Sequence, residues 1–390
     1  MTVTLIRESA APATAGELLE LVRTGRAHTR ADLVRLTGLS RTAVTTRVAA
    51  LTDAALLIAG EELASTGGRP AGGLVFNRDA GVVLAAALGR SRSQLAVFDL
   101  DGGELAARSD DHAVGVGPDE LMPLVASRLA ALVAPIGRRV VGMGVSLPGP
   151  VDRERGSSVE SPVVAGWNGV ELAPYLREVA DAPVFVANDC DVLARSERLG
   201  RPELVDSLVV KASTGLGLGI IADGRVLIGH SGAAGEIGHT KVEDPGTVCR
   251  CGASGCLETI AGGWALVDRL AESGRPVGHV RDLVALAQQG DRQARSLLRE
   301  SGRGLGEVLA VAVNLLNPQA VVLGGDMPAA FDTYAAGVRE TLYARAAAFA
   351  TRDLQILPAT YADRAGLVGC AALALDHVLS PPSVDALLTH

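Results

Sequence analysis

Near residue 77 the pattern of apolar residues changes character, and one fold does not satisfy both halves. Up to residue 76 the chain is rich in Ala, Leu, Thr and Arg at helical spacing, with few glycines before Gly67-Gly68. Leu18, Leu19 and Val22 make one apolar stripe. Leu33, Leu36 and Leu39 make a second, and Val44, Val48 and Leu51, at i, i+4 and i+7, a third. Gly38 is placed to close the second helix and Ser40 to cap the third. Helix, glycine-containing turn, helix predicts a helix-turn-helix. Residues 56–77, LLIAGEELASTGGRPAGGLVFN, alternate enough to add a two-stranded wing. From residue 82, strand-like runs recur at Val82–Ala87, Leu95–Phe98, Val140–Val145, Val184–Val186, Leu208–Val210, Gly219–Ile221 and Ala320–Leu323. Helical segments lie around Leu121–Val133, Leu266–Leu270 and Val280–Asn317. Strands alternating with helices predict an α/β fold. The Asp-Gly turns of DLDGG (99–103) and IADGRV (221–226) look alike and suggest a duplicated unit. A chain of 390 residues is too long for one ordinary core. We therefore expect one domain over 1–76 and a larger one over 77–390.

The third helix offers solvent a defined face: Arg41, Thr42, Thr45, Thr46 and Arg47. Short hydroxyls and guanidinium groups suit base edges and phosphates in a major groove. Arg69, in the Gly-Gly-Arg-Pro tip of the wing, is placed to enter a minor groove. Between Arg23 and Thr52 one acid, Asp32, stands among six arginines, in a chain whose formal net charge is -8. A nucleic-acid surface must therefore be local. The plainer alternative is a helical packing domain whose exposed face happens to carry arginine. Agreement of turn, caps, stripes and wing favours DNA.

Three of the five cysteines fall within Cys249–Cys256, as Cys-x-Cys-Gly-x-x-Gly-Cys, with His239 ten residues upstream. Three thiolates and an imidazole, His239, Cys249, Cys251 and Cys256, make a closed tetrahedral zinc set. With four places filled, the ion is structural rather than catalytic. The alternatives are a disulfide or three unrelated buried thiols; the clustering of the cysteines argues against chance and for a reducing, cytoplasmic location. Apolar runs such as Val82–Leu88 are too short to span a membrane, and the first residues lack a signal pattern.

Several segments occur in a telling order. They are the helix-turn-helix, Gly-Gly-Arg-Pro, GVSLPGPVD (144–152), ANDCDVLARSE (187–197), STGLGLGIIADGRVLIGHSGAAGEIGH (213–239) and the cysteine loop. Together they resemble the ROK family of repressors, open reading frames and sugar kinases. The resemblance covers nearly the whole chain. It implies a two-lobed, actin-like, ribonuclease-H-type α/β domain with a sugar cleft between its lobes, preceded by a winged helix-turn-helix. Asn188-Asp189 matches the family's Asn-Asp pair, whose Asp holds a sugar hydroxyl and is the general base in the kinases. Glu236, His239 and Glu258 match further sugar ligands, and Asn168, in AGWNG, matches one more polar contact. His239 then serves both sites, one ring nitrogen toward zinc and the other toward the sugar. Thr214 to Gly219 matches a glycine-rich phosphate loop, and Gly324-Gly325 a nucleotide-side turn.

The first phosphate hairpin departs from the family. Counted back from Asp99, the kinase motif Asp-x-Gly-Gly-Thr falls on Ala87-Leu88-Gly89-Arg90-Ser91. Ala87 lacks the carboxylate, and Arg90 puts a side chain where backbone should approach phosphate. Phosphoryl transfer depends on positioning and charge neutralisation. The expectation is thus a sugar-responsive DNA-binding regulator, a repressor before an activator, acting as a homodimer or homotetramer on a DNA operator, with no catalytic residue and no membrane partner. The alternative is an active ATP-dependent sugar kinase with an attached DNA-binding domain.

Overall fold

The computed structural model describes residues 13–63, 71–159, 166–242 and 246–389. The N-terminal unit contains α1 (Ala15–Arg23), α2 (Arg30–Thr37), α3 (Arg41–Asp53) and an antiparallel pair, β1 (Leu57–Leu63) and β2 (Ala71–Phe76). Its helix ends are set locally. Thr14 with Glu17, and Thr29 with Asp32, form reciprocal capping boxes. Gly38 closes α2 at φ 71°, a left-handed conformation that glycine adopts without strain. The Ser40 side chain accepts the Ala43 N–H at 3.2 Å to start α3. Leu18, Leu19, Leu33, Val44, Val48 and Leu51 are buried together. Leu36 is not: it is 38% exposed, and Val34 packs in its place. At about 100° per residue, the centre of a face holding Leu33 and Val34 lies about 110° from Leu36. Arg69 lies outside the described residues.

The next lobe runs β3 (Val82–Leu88), β4 (Arg92–Asp99), β5 (Glu104–Asp111), α4 (Pro118–Val133), β6 (Val140–Leu147), β7 (Val151–Asp152), β8 (Ser157–Ser158), α5 (Ala173–Leu176), β9 (Val184–Asn188) and α6 (Asp189–Gly200). The last lobe runs β10 (Ser207–Ala212), β11 (Leu216–Ala222), β12 (Arg225–Leu227), α7 (Glu258–Ala261), α8 (Gly263–Glu272), α9 (Val280–Gln288), α10 (Arg292–Leu316), β13 (Ala320–Gly324), α11 (Phe331–Arg345), α12 (Ala348–Thr351), β14 (Gln355–Pro358), α13 (Ala365–Val378) and α14 (Pro381–Leu388). The expected helix over Val280–Asn317 is therefore two, α9 and α10. Gly290, at φ 97°, breaks it, and the Asp291 side chain caps the new start.

The two five-stranded sheets repeat one topology. Their orders are β5-β4-β3-β6-β9 and β12-β11-β10-β13-β14. In each, two antiparallel hairpins are followed by two parallel additions. The two Asp-Gly turns join equivalent strands, β4 to β5 and β11 to β12. This is the two-lobed α/β architecture expected.

The helix that ends each lobe crosses to the other. α6 packs against β10 and β11, and α13 packs against β3 and β6. Close approach depends on glycine. A Cβ on Gly369 of α13 would stand 1.8 Å from the Val192 carbonyl oxygen of α6. One on Gly144 of β6 would stand 1.9 Å from the Cys370 carbonyl oxygen. The strand ends carrying the loops of both sheets thus face a common cleft, where ligands bind in such sheets. After α13 the chain turns back: Val384 of α14 is buried in the N-terminal core, and Asp385 accepts the Gly16 N–H at 2.8 Å. No single helix among the described residues is long and apolar enough to cross a membrane.

Candidate functional site

The cleft has a volume of about 640 Å³ and is lined by residues of both lobes. Asp189 begins α6 and projects into it. Asn188 is the cap of that helix. Its side-chain oxygen accepts the Cys190 N–H at 2.7 Å, and its amide donates to the Gly149 carbonyl at 2.8 Å. Both ends of Asn188 therefore hold backbone, and the residue orients Asp189. The Asp189 carboxylate forms an ion pair with the Lys211 ammonium, which projects from the end of β10. Burial works to lower the Lys211 pKa, but the adjacent Asp189 outweighs it and the net shift is upward.

Glu236 and His239 follow a backbone turn that demands glycine. Gly235 has φ 89°, and a Cβ there would lie 1.7 Å from the Leu218 carbonyl oxygen. Glu236 lines the cleft, and burial raises its carboxyl pKa while His239 opposes the shift. The His239 ring is two-faced: Nε2 lies 3.8 Å from the Glu236 carboxylate and Nδ1 lies 3.8 Å from Cys249 Sγ. Glu258, only 7% exposed, is committed to the glycine-rich loop. Its Oε1 accepts the Leu216 N–H at 2.7 Å and its Oε2 accepts the Trp264 indole N–H at 3.3 Å. The loop passes so close that a Cβ on Gly215 would stand 2.5 Å from Glu258 Oε1. Asn168 is exposed and lies outside the residues that line the cleft.

Ala87, one residue before the end of β3, lies at the cleft wall opposite Gly366 of α13. Arg90 sits in the turn that the Gly89 N–H closes onto the Arg92 carbonyl at 2.8 Å. Burial lowers the Arg90 pKa, the nearby Arg250 lowers it further, and Glu258 offsets part of that. Lys211 lies outside the candidates that the sequence motifs point to. Its signal was there: one charged residue in the apolar strand Ser207–Ala212, directly before the glycine-rich loop.

Beside the cleft, His239, Cys249, Cys251 and Cys256 converge. One ligand atom from each lies within 4.8 Å of all the others, a set that could hold a metal ion. Cys251 and Cys256 Sγ are 3.7 Å apart, and Cys249 Sγ is 3.8 Å from His239 Nδ1. A tetrahedron with metal–sulfur bonds of about 2.3 Å has edges of about 3.8 Å. Burial pushes the Cys249 thiol up to about 12, so a buried thiolate here needs a cation beside it. The Lys241 ammonium also reaches Cys256 Sγ, at 2.9 Å.

On α3, Arg41, Thr42, Thr45 and Thr46 are exposed. The Thr45 and Thr46 hydroxyls donate to the carbonyls of Arg41 and Thr42, at 2.9 and 3.1 Å. Arg47 is half-buried, and its guanidinium donates to the Ala43 carbonyl at 3.3 Å.

A sequence model described as the ROK family matches residues 83–377. The chain is 27% identical over 356 residues to the xylose repressor of Bacillus subtilis (strain 168), covering 90% of this chain and 91% of that protein. It is 31% identical over 314 residues to the DNA-binding transcriptional dual regulator NagC of Escherichia coli (strain K12), 76% of each. Among solved structures, a ROK family transcriptional regulator described as a homolog of the E. coli MLC protein superposes with a TM-score of 0.81 at 26% identity. That match covers 96% of this chain and 98% of the other.

Proposed function

The chain belongs to the ROK family, and from that premise we propose that it is a sugar-responsive, DNA-binding transcriptional regulator that acts as a repressor. One observation carries the reading. A capped helix-turn-helix with an exposed Arg41-Thr42-Thr45-Thr46 face is joined to a two-lobed cleft lined by Asp189, Glu236, His239 and Glu258. Named relatives that extend along most of the chain are repressors and regulators.

In this reading residues 1–76 form the DNA-binding domain, helped by α14, and residues 77–390 the sensor. Arg41, Thr42, Thr45, Thr46, Arg47 and Arg69 meet the operator. Asp189, Glu236 and His239 hold the sugar. Asn188 orients Asp189, and Glu258 also holds the glycine-rich loop. Asn168 is assigned to the sugar only as a peripheral contact, on its match to the family motif. The ion held by His239, Cys249, Cys251 and Cys256 is zinc, whose role is to fix His239 and the loop behind it. A dimer matches a near-palindromic operator through its own two-fold axis, and the protein works in the cytoplasm. The cleft senses rather than phosphorylates, because Ala87 offers no carboxylate and Arg90 occupies the first phosphate turn.

The test has two parts. DNA selected from a random pool by the zinc-loaded protein should yield a near-palindromic site, and one or more sugars should release it. The same sugars incubated with ATP and magnesium should remain unphosphorylated. Failure to select any site overturns the regulator reading. ATP-dependent phosphorylation abolished by Asp189→Ala establishes the kinase instead.

A further inference from the structure

Of the chain's 36 basic residues, only Lys211 and Lys241 are lysines. Both sit at the site: Lys211 on Asp189 and Lys241 on Cys256. Everywhere else the chain meets its carboxylates and solvent with guanidinium groups. The two cations differ in shape. Guanidinium is a planar fork, whereas an ammonium is a compact point charge with three donors. Lys211 is held in register with Gly324 of β13, at the C-terminal ends of two parallel strands. The glycine-rich loop follows it directly, and its ammonium lines the cleft. Asp189 is the sole hydrogen-bond and ion-pair partner recorded for that ammonium among the described residues. A third group acts on it from the β13 side, since Asp326 lies within electrostatic range. Asp189 and Glu236 likewise act on each other.

The geometry points to Lys211 as a further sugar ligand that sets specificity: ammonium and carboxylate together hold one sugar hydroxyl, Asp189 accepting its O–H and Lys211 donating to its oxygen. This rests on the reading of the cleft as a sugar site and deepens it. A hydroxyl is both donor and acceptor, so it completes both halves of the pair. A phosphate ester at that position does not. It has no proton for Asp189 and brings a near-dianion against that carboxylate, with Glu236 in electrostatic range of Asp189 and Asp326 in range of Lys211. The effector is therefore a sugar whose hydroxyl at this point is free.

The experiment is a calorimetric titration of the zinc-loaded full-length protein. The probes are D-glucose, N-acetyl-D-glucosamine and D-xylose, the mono-deoxy analogues of whichever binds best, the 6-phosphates of the two hexoses, and inorganic phosphate. Lys211→Met and Lys211→Arg are compared with wild type, each checked for fold by circular dichroism. A neutral sugar should bind, and its 6-phosphate should not where the deoxy series places the shared hydroxyl at C6. Each variant should weaken that sugar roughly ten- to hundredfold, the scale of a lost hydrogen bond to a charged group. One deoxy analogue should bind wild type and both variants equally weakly. Lys211→Arg keeps a cation on Asp189, so a mere counter-ion role predicts normal binding there, and it remains informative if the Met variant does not fold. Tighter binding of a 6-phosphate than of its parent sugar, where the deoxy series places the shared hydroxyl at C6, overturns the inference. So does an equal loss for the sugar and every deoxy analogue, or normal binding by the Arg variant. If no sugar or sugar phosphate binds wild type, the sugar-sensor reading itself falls.

Discussion

Glu258 is the residue whose replacement separates a ligand role from a structural one. Its carboxylate is buried and accepts two hydrogen bonds, from the Leu216 N–H at 2.7 Å and from the Trp264 indole at 3.3 Å. Hydrogen bonds to a charged group contribute about 1.5–3 kcal/mol each, and a buried N–H left unmade costs a similar amount. The second bond is long, so Glu258→Ala should destabilise by about 3–5 kcal/mol. Glu258→Gln keeps an acceptor for Leu216 but turns an amide N–H toward the indole N–H, and should cost about 1–2 kcal/mol. At about 2 °C per kcal/mol for a unit of this size, melting should fall by about 6–10 °C for the Ala variant and about 2–4 °C for Gln. Differential scanning calorimetry of zinc-loaded protein without sugar reads both. Because no sugar is present, the shift reports the loop and not the ligand. If the Ala variant melts within a degree of wild type, Glu258 does not hold the glycine-rich loop, and its place in the cleft must be explained by ligand contact alone.

Four further outcomes follow from the same geometry. Arg41→Ala combined with Arg47→Ala should weaken operator binding and flatten its salt dependence by about two in the log–log slope if both reach phosphate; unchanged binding across a salt series places the interface elsewhere. Cys251→Ala should lose the metal, read by elemental analysis of untagged protein, and with it the sugar response; full zinc content in that variant refutes the four-ligand set. Asp191 is buried, which raises its carboxyl from 3.8 to about 6 despite Arg153 and Arg195 nearby. A raised acid gives stability that is fully present below the unfolded pKa and lost as pH rises through the folded one, so between pH 4 and 6 stability should fall by up to about 3 kcal/mol. Asp191→Asn should remove that slope in urea titrations, and a slope that survives it belongs to another group. Val384→Asp puts a charge into the N-terminal core and should cost more than about 3 kcal/mol; operator binding should fall with it, and normal binding would show that α14 is dispensable to that domain.

What could be read from the chain alone was set by interactions of short range. The cap at Ser40 and the left-handed stop at Gly38 involve residues three or four apart, and the cysteine loop closes within eight positions. These survive in any fold that keeps the segment, so pattern suffices. Continuous apolar runs marked the central strands because both their faces are buried. That signal misses β5, whose residues Glu104–Asp111 are mostly polar and mostly exposed at a sheet edge. Tertiary structure decided the rest. It gave Asn188 a capping role beside its place in the cleft wall, because Gly149 arrives from the neighbouring strand's loop. It brought Lys211 onto Asp189 and Glu258 under Leu216, pairings 22 and 42 residues apart. It also returned α14 to the N-terminal core, Asp385 to Gly16, across 369 residues. No local preference encodes such contacts. They follow from two sheets of the same topology exchanging their final helices, and only the packed chain determines which side chains then meet.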